Sequence, residues 1–508
     1  MLARRHCSTT LSSPVGTRSS QIGASNENPN RLHARDRPPQ SAAGDWTYPD
    51  HRRPPGCLLI GLGIPRSHLS HWLEFSCLSC RCTDFDPSVP ASLASELESI
   101  TSGADWLRVA MERMFVDAVS AQHQGLQKVL QNFPADVVIG DDMLFGVLPM
   151  LLGPDAKRPP IVLCGTSFLH WCRGDGAPHF IGLPPAITQA QRDEYAQIYQ
   201  DHDRQIYWPV ADRLNRHLEK IGVEPLSMTL FDSIVYLADA YIQLTVPSFE
   251  FPREIPSSVH FVGTPPIVPN QAPLPPWAHE LDGSRKVVLV TTVGNHNFDL
   301  LITPTLRALA NEPDGLVIAT AGGRPIGAIP GPIPDNARLA QYLPFEWILP
   351  KTDVFVTNGD YGSVNRAMSF GVPLVCAGAA EDKADVKARV AWSGVGINLK
   401  ANPTPTALCE AVRTVIDAQD YRVRVLQMAG EFRAIDTRSE ILRVVASTAG
   451  LADNENQPDT LTARPALSRG DHPTRRAQPR LPWSAPKIRS IKCGEWQRGE
   501  ISDSRQSG

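Results

Sequence analysis

Two stretches of this chain carry residue types suited to holding a phosphorylated, hydroxyl-rich ligand. The run T-N-G-D-Y-G-S-V (Thr357–Val364) follows the apolar segment Asp353–Asn358 and leads into helix-compatible N-R-A-M-S-F-G. At the carboxyl end of a parallel strand the free N–H groups of the next helix bind phosphate, and glycines let the backbone approach it closely. Spacing alone leaves two readings open, a phosphate site and an ordinary strand-to-helix turn. The second stretch is Glu381-Asp382, after the buried-looking run V-P-L-V-C-A-G. Paired carboxylates accept hydrogen bonds from vicinal hydroxyls, and the competing reading is a solvated helix start.

A third group, His68, His71, Cys77, Cys80 and Cys82, has the ingredients of a zinc site. A structural site normally closes with a second ligand pair at a fixed separation, and here H-x-x-H lies directly upstream of C-x-x-C with no such pair. No metal is therefore expected.

The elements that would position these residues alternate strand-like apolar runs with helical patterns, the mark of an α/β protein with parallel sheets. One block holds Ala135–Gly140, Pro160–Cys164 and Ala240–Thr245, preceded by a long helical stretch over Ala104–Asn132. A second holds Lys286–Thr292, Gly315–Thr320, Asp353–Asn358 and Pro373–Gly378. Between them, T-P-P-I-V-P-N-Q-A-P-L-P-P-W reads as a semi-rigid linker. The expected organisation is a disordered segment over 1–55, one domain over 56–263, a Pro-rich linker over 264–284, a second domain over 285–446 and a disordered tail over 447–508. Both ends are polar and Pro-bearing, with too little apolar surface to offset chain entropy.

A net charge of -4 gives no general attraction to nucleic acid or an anionic membrane, which points to small-molecule chemistry. No apolar run is long enough for a membrane helix, and the ten cysteines are scattered rather than set at framework spacings. The cytoplasm is the expected compartment; the first 26 residues, free of Asp and Glu, leave a mitochondrial transit peptide as the alternative.

The run Asp353–Leu399 strongly resembles the donor-site signature of family 1 UDP-glycosyltransferases, in the fungal and bacterial branch that glycosylates small lipophilic acceptors. Val290–Leu309, Ala319–Pro325, Ala337–Pro350, Ala135–Gly146, Gly174–Pro185 and Pro247–Arg253 fit the same family. The resemblance implies two Rossmann-like domains facing across a cleft, the GT-B architecture. The first would be an incomplete acceptor-binding domain, and the second would bind the nucleotide sugar. It further implies that Asn358, Gly359, Tyr361, Gly362 and Ser363 meet the diphosphate, that Glu381 and Asp382 meet the sugar, and that Asn297 belongs to the donor site. The donor would be a UDP-sugar, with no separate cofactor, and the acceptor a sterol or secondary metabolite receiving a hexose, glucose foremost. In this family a His deprotonates the acceptor hydroxyl and an Asp orients it. Asp141 occupies the Asp position, and His68 in G-I-P-R-S-H is the nearest candidate for the base, against its reading as an ordinary surface histidine.

Three departures from the pattern bear on activity. Asp360 stands where relatives carry glycine, Arg366 where many carry Glu or Gln, and a Gln-Gly pair is missing near Thr291. A carboxylate beside a diphosphate should repel it. Two alternatives therefore stand beside a transferase: a relative that binds a nucleotide sugar or hydrophobic ligand without transfer, and a sugar-nucleotide epimerase of the same architecture, whose motif order fits less well.

Overall fold

The structure, a computed structural model, describes residues 102–450 except 133–134, 155–157, 266–272, 293–296 and 379–381, with several positions in 93–100 and the backbone of 58–61 and 74–77. Cys77 falls within the last of these segments, and His68, His71, Cys80, Cys82 and Glu381 lie outside the described residues. So do residues 1–55, while the tail expected from 447 onward is described as far as residue 450.

Valine- and isoleucine-rich runs form the strands, because β-branched side chains suit a sheet buried on both faces. In β7 (Lys286–Thr291), β8 (Gly315–Thr320) and β10 (Val354–Thr357) every residue except the first of β7 and of β8 is buried. With β9 (Ala337–Ala340), β11 (Leu374–Cys376) and β12 (Gly396–Asn398) they make an all-parallel sheet in the order β12-β11-β10-β7-β8-β9. The chain runs outward from β7 in one direction, then crosses back to β10 and runs outward in the other. Ligands of such sheets bind where that reversal opens a crevice, outside the carboxyl ends of β7 and β10.

The first sheet has the order β2-β1-β3-β4-β5-β6. Its strands β3 (Val137–Asp141), β4 (Ile161–Gly165), β5 (Ala240–Gln243) and β6 (Val259–Phe261) are parallel. Strands β1 (Leu58–Gly61) and β2 (Glu74–Cys77) instead pair antiparallel, β1 with both β2 and β3. A doubly wound half would continue in parallel at this edge, so the antiparallel pairing falls in the domain expected to be incomplete. The helical stretch expected over Ala104–Asn132 is built as Gly103–Ala110, a π-helical segment Met111–Val116 and Val119–Asn132.

Two expected boundaries shift. The linker ends in a 3-10 turn, Pro276–Glu280, whose Trp277 indole donates to the Leu339 carbonyl and whose Glu280 pairs with Arg338 and Arg285, so this end is fastened to the second sheet's layer. The last helix, Thr437–Thr448, was expected to close the second domain at residue 446. It packs instead on the first sheet, with Val444 buried among Val137, Ile139, Val162, Ala240, Ile242 and Val262. Among the described residues no helix is long and apolar enough to cross a membrane.

Candidate active site between the two sheets

The turn after β10 is built as its composition demands. Gly359 has φ +90°, a conformation L side chains rarely adopt, and its amide donates to the Thr357 hydroxyl at 3.3 Å. Asp360 follows as the N-cap of helix Tyr361–Ser369, and its carboxylate accepts the Ser363 amide at 3.0 Å. Asp is among the best N-cap residues because it satisfies one of the helix's orphan donors. Asp360 is thus a structural cap, and the same placement puts a negative charge on the helix end that would receive a diphosphate. Next to this turn, Gly378 has no room for a side chain: a Cβ there would lie 2.0 Å from the Asn358 carbonyl oxygen.

The expected diphosphate contacts divide into two sets. Asn358 and Gly359 form the turn that follows β10, and the backbone amide of Ser363, in the first turn of the helix, is already bonded to Asp360. Gly362 lies in the first turn of the same helix. Tyr361 turns the other way: it is buried, its ring lies against Phe249, and its hydroxyl accepts a 2.6 Å hydrogen bond from Gln243 at the end of β5. Burial raises its phenol far above the ordinary range, so it stays protonated. Four residues on, Asn365 accepts from the Thr245 hydroxyl at 2.5 Å. One face of this helix therefore joins the two sheets. Asn297 caps the 3-10 turn Phe298–Leu300 by accepting the Asp299 amide at 2.9 Å.

Asp382 precedes helix Lys383–Trp392 and accepts a hydrogen bond from the Ser167 hydroxyl, just beyond β4. Further along this helix, Arg389 is fully buried between the rings of Phe168 and Phe251, 4.4 and 4.3 Å from their centroids. Its Nε donates to Glu250 at 3.0 Å, and it pairs with Asp385 at 3.5 Å. Glu250 also accepts from Arg253 at 2.9 Å and from the Leu169 amide at 2.9 Å. Burial alone would raise the Glu250 carboxyl; the two guanidiniums and the amide outweigh it and hold it below its ordinary value. Asp385 accepts the Gly182 amide at 3.2 Å, where the backbones are so close that a Cβ on Gly182 would sit 2.6 Å from the Ala384 carbonyl oxygen.

On the acceptor side, Asp141 ends β3 and accepts the Met143 amide at 2.9 Å. Its expected partner, His68, is outside the described residues. The next residue, Asp142, is almost wholly buried: one carboxylate oxygen accepts from the Thr166 hydroxyl at 2.7 Å and amide at 3.2 Å, the other from the Tyr241 hydroxyl at 3.1 Å. That second oxygen lies 3.6 Å from Nδ1 of His170, itself 2% exposed. Burial, with Asp141 and Asp142 alongside, pushes the Cys164 thiol up to about 12, and burial does the same to Cys376, so neither is a nucleophile at neutral pH. Among the described residues, no group of three His, Cys, Asp or Glu is placed to hold a metal ion.

Sequence reasoning missed Asp142, His170, Gln243, Glu250 and Arg389. A signal existed for two of them. Asp-Asp at a strand end offers two carboxylates, only one of which the family pattern uses, and Pro247–Arg253 had been matched to the family without a role for Glu250.

Comparison with known proteins agrees with this geometry. Residues 306–447 match the family described as erythromycin biosynthesis protein CIII-like, C-terminal domain. The chain is 37% identical over 331 residues to 4'-demethylrebeccamycin synthase of Lentzea aerocolonigenes, an alignment covering 64% of this chain and 76% of that one. It is 32% identical over 382 residues to UDP-glycosyltransferase 2 of Phaeomoniella chlamydospora, covering 68% and 80%, and 32% identical over 370 residues to UDP-glucosyltransferase avaP of Aspergillus versicolor, covering 66% and 80%. Among solved structures, the calicheamicin glycosyltransferase CalG4 superposes with a TM-score of 0.51 at 21% identity over 69% of this chain and 85% of that one, which supports the GT-B fold. With a Rossmann-ordered sheet carrying a glycine turn at its switch point and a second, mostly parallel sheet, the chain belongs to the family 1 UDP-glycosyltransferases.

Proposed function

We propose that this glycosyltransferase moves glucose from UDP-glucose to a hydroxyl of a small lipophilic acceptor such as a sterol or secondary metabolite, in the cytoplasm and without a metal or further cofactor. The observation that carries the reading is the crevice at the carboxyl ends of β7 and β10, where Asn358, Gly359 and Asp382 gather opposite Ser167 of the other sheet. The names of the relatives support the UDP-sugar donor. Support for a lipophilic acceptor comes from the rings of Phe168, Phe180 and Phe231 grouped beyond β4 on the acceptor side. Glu381 is assigned to the sugar hydroxyls together with Asp382. Calorimetric titration with UDP-glucose tests the donor half, and the absence of heat at millimolar ligand overturns it. Release of UDP in the presence of an acceptor panel tests transfer.

A second reading, binding without transfer, is favoured by one specific observation: the Asp360 carboxylate occupies the helix end where diphosphate charge would be received. UDP-glucose binding with no UDP release for any acceptor would select it.

A further inference from the structure

The chain passes between the layers of the two sheets twice, and the two passages touch. It leaves the first sheet after β6 through Gly263, Thr264 and Pro265. It returns at Ile435 and Asp436, which join helix Gln419–Ala434, whose Val425, Met428 and Phe432 pack on the second sheet, to helix Thr437–Thr448 on the first. A Cβ on Gly263, which has φ +74°, would lie 2.9 Å from the Thr437 hydroxyl oxygen. Beside this contact is a cavity of about 290 Å³, lined by Thr264 and Pro265 from the first passage, Thr437 from the second, and Arg366, Arg433 and Arg438. Its charge is one-sided. Asp436 is the single carboxylate among the described lining residues, against three guanidiniums, in a chain whose net charge is -4. That carboxylate is already engaged: it accepts the Ser439 hydroxyl at 2.8 Å and amide at 3.2 Å, and these bonds hold it below its ordinary value. Arg366 is fixed at the cavity by donating to the Pro265 carbonyl at 2.8 Å, while Arg433 and Arg438 are exposed.

We propose that this cavity is a binding site for a phosphate group, free or carried on a small phosphomonoester, which draws the three arginines together and ties the two passages to each other. Guanidiniums gathered around one hollow repel, and an oxyanion among them turns that repulsion into attraction. Their planar N–H forks match phosphate oxygens, and the Thr264 and Thr437 hydroxyls add neutral donors. The volume stands at the lower end of the range for small-molecule pockets, which suits a phosphate with a small substituent. The site is separate from the donor crevice. Arg366 lies six residues beyond Asp360, which caps the same helix, so it is about 9 Å further along the helix axis, and Ser369, also at the cavity, is the last helical residue. The charge that departs from the family pattern at Arg366 is thus placed at the passages. The assignment needs neither donor nor acceptor and stands independently of the glucosyl-transfer reading above.

The test is hydrogen exchange on the full chain, with inorganic phosphate in one arm and glucose 6-phosphate in the other, each against sodium chloride at equal ionic strength. In at least one arm, exchange at the amides of Gly263, Thr264 and residues 435–438 should slow about tenfold when the ligand stands at about ten times its Kd. The arm with the lower half-protecting concentration identifies the form in which phosphate is bound. In the double variant Arg433→Gln/Arg438→Gln, which alters exposed side chains only, that concentration should rise at least about tenfold, the worth of one lost charge-assisted hydrogen bond. An unchanged half-protecting concentration in the double variant overturns the proposal. So does a wild-type protein that neither ligand protects at these amides beyond the effect of chloride, a result that depends on no variant's folding. Protection confined to residues 357–364 also overturns it, because it puts the phosphate at the turn after β10.

Discussion

Arg389 and Glu250, 139 residues apart in sequence and borne on different sheets' layers, meet at 3.0 Å with both side chains buried. Removing one member of a buried pair strands the other in a low-dielectric interior, which costs roughly 3–5 kcal/mol. Arg389→Met should fall toward the lower end, about 3 kcal/mol, because Arg253 and the Leu169 amide still serve Glu250. Glu250→Gln should cost more, since it leaves two guanidiniums without their common counter-charge. Urea unfolding of the three proteins at neutral pH checks both the sizes and the order.

The same pair sets a pH dependence. Burial raises the Glu250 carboxyl, but Arg389 and Arg253 outweigh it and leave the folded value below the ordinary 4.5. The unfolded chain therefore binds the proton first as pH falls. Glu250's contribution is complete above its ordinary value and is lost as pH drops through the lower folded value. The stability gap between wild type and Glu250→Gln, measured by unfolding from about pH 7 to about pH 3, should be constant down to about 5 and shrink below it.

Close backbone approach at the seam gives a third expectation. Gly182 has φ +69° and a Cβ there would lie 2.6 Å from the Ala384 carbonyl oxygen, whereas Gly176, at φ +77°, would meet nothing nearer than 3.8 Å. Both alanine variants bear the left-handed backbone strain of about 1–2 kcal/mol, but only Gly182→Ala must also push two segments apart. Hydrogen exchange in helix Lys383–Trp392 should rise in Gly182→Ala and stay unchanged in Gly176→Ala.

Tyr361 separates the structure from the expectation that it touches diphosphate. Its hydroxyl accepts from Gln243 Nε2, which also donates to the Ser167 carbonyl at 2.7 Å. Tyr361→Phe removes one of two acceptors of a single amide and should cost about 1 kcal/mol in stability, with UDP-glucose affinity unchanged. A loss of affinity without a loss of stability would return Tyr361 to the ligand.

The seven strand-like runs read from the sequence all became strands, because a sheet covered on both faces writes itself as continuous Val, Ile and Leu. The short strands β6 and β12 lack that signature: V-H-F and G-I-N are only partly buried. The glycine turn after β10 was legible for the same reason as the strands, since it follows directly on the carboxyl end of a buried run. The seam was not. Gln243 with Tyr361, Glu250 with Arg389 and Ser167 with Asp382 are pairs more than a hundred residues apart, and nothing local marks one member as the partner of the other.

Asp360 tests how the two constraints at one helix end are reconciled. Its carboxylate accepts the Ser363 amide at 3.0 Å and so stabilises helix Tyr361–Ser369, yet its charge opposes a diphosphate at the same terminus. Asn caps about as well as Asp, because the cap depends on a side-chain oxygen and not on charge. Asp360→Asn should therefore leave stability within about 0.5 kcal/mol. It should tighten UDP-glucose binding about threefold to tenfold, the 0.6–1.4 kcal/mol scale of one partly exposed charge near a helix terminus. Asp360→Ala separates the terms: it removes the same charge and also the cap, so affinity should rise less while stability falls by about 1 kcal/mol. Calorimetry and thermal unfolding on the three proteins read both quantities. If Asp360→Asn weakens binding, the carboxylate is a ligand contact, accepting a hydrogen bond from the donor, and repulsion is not what governs this site.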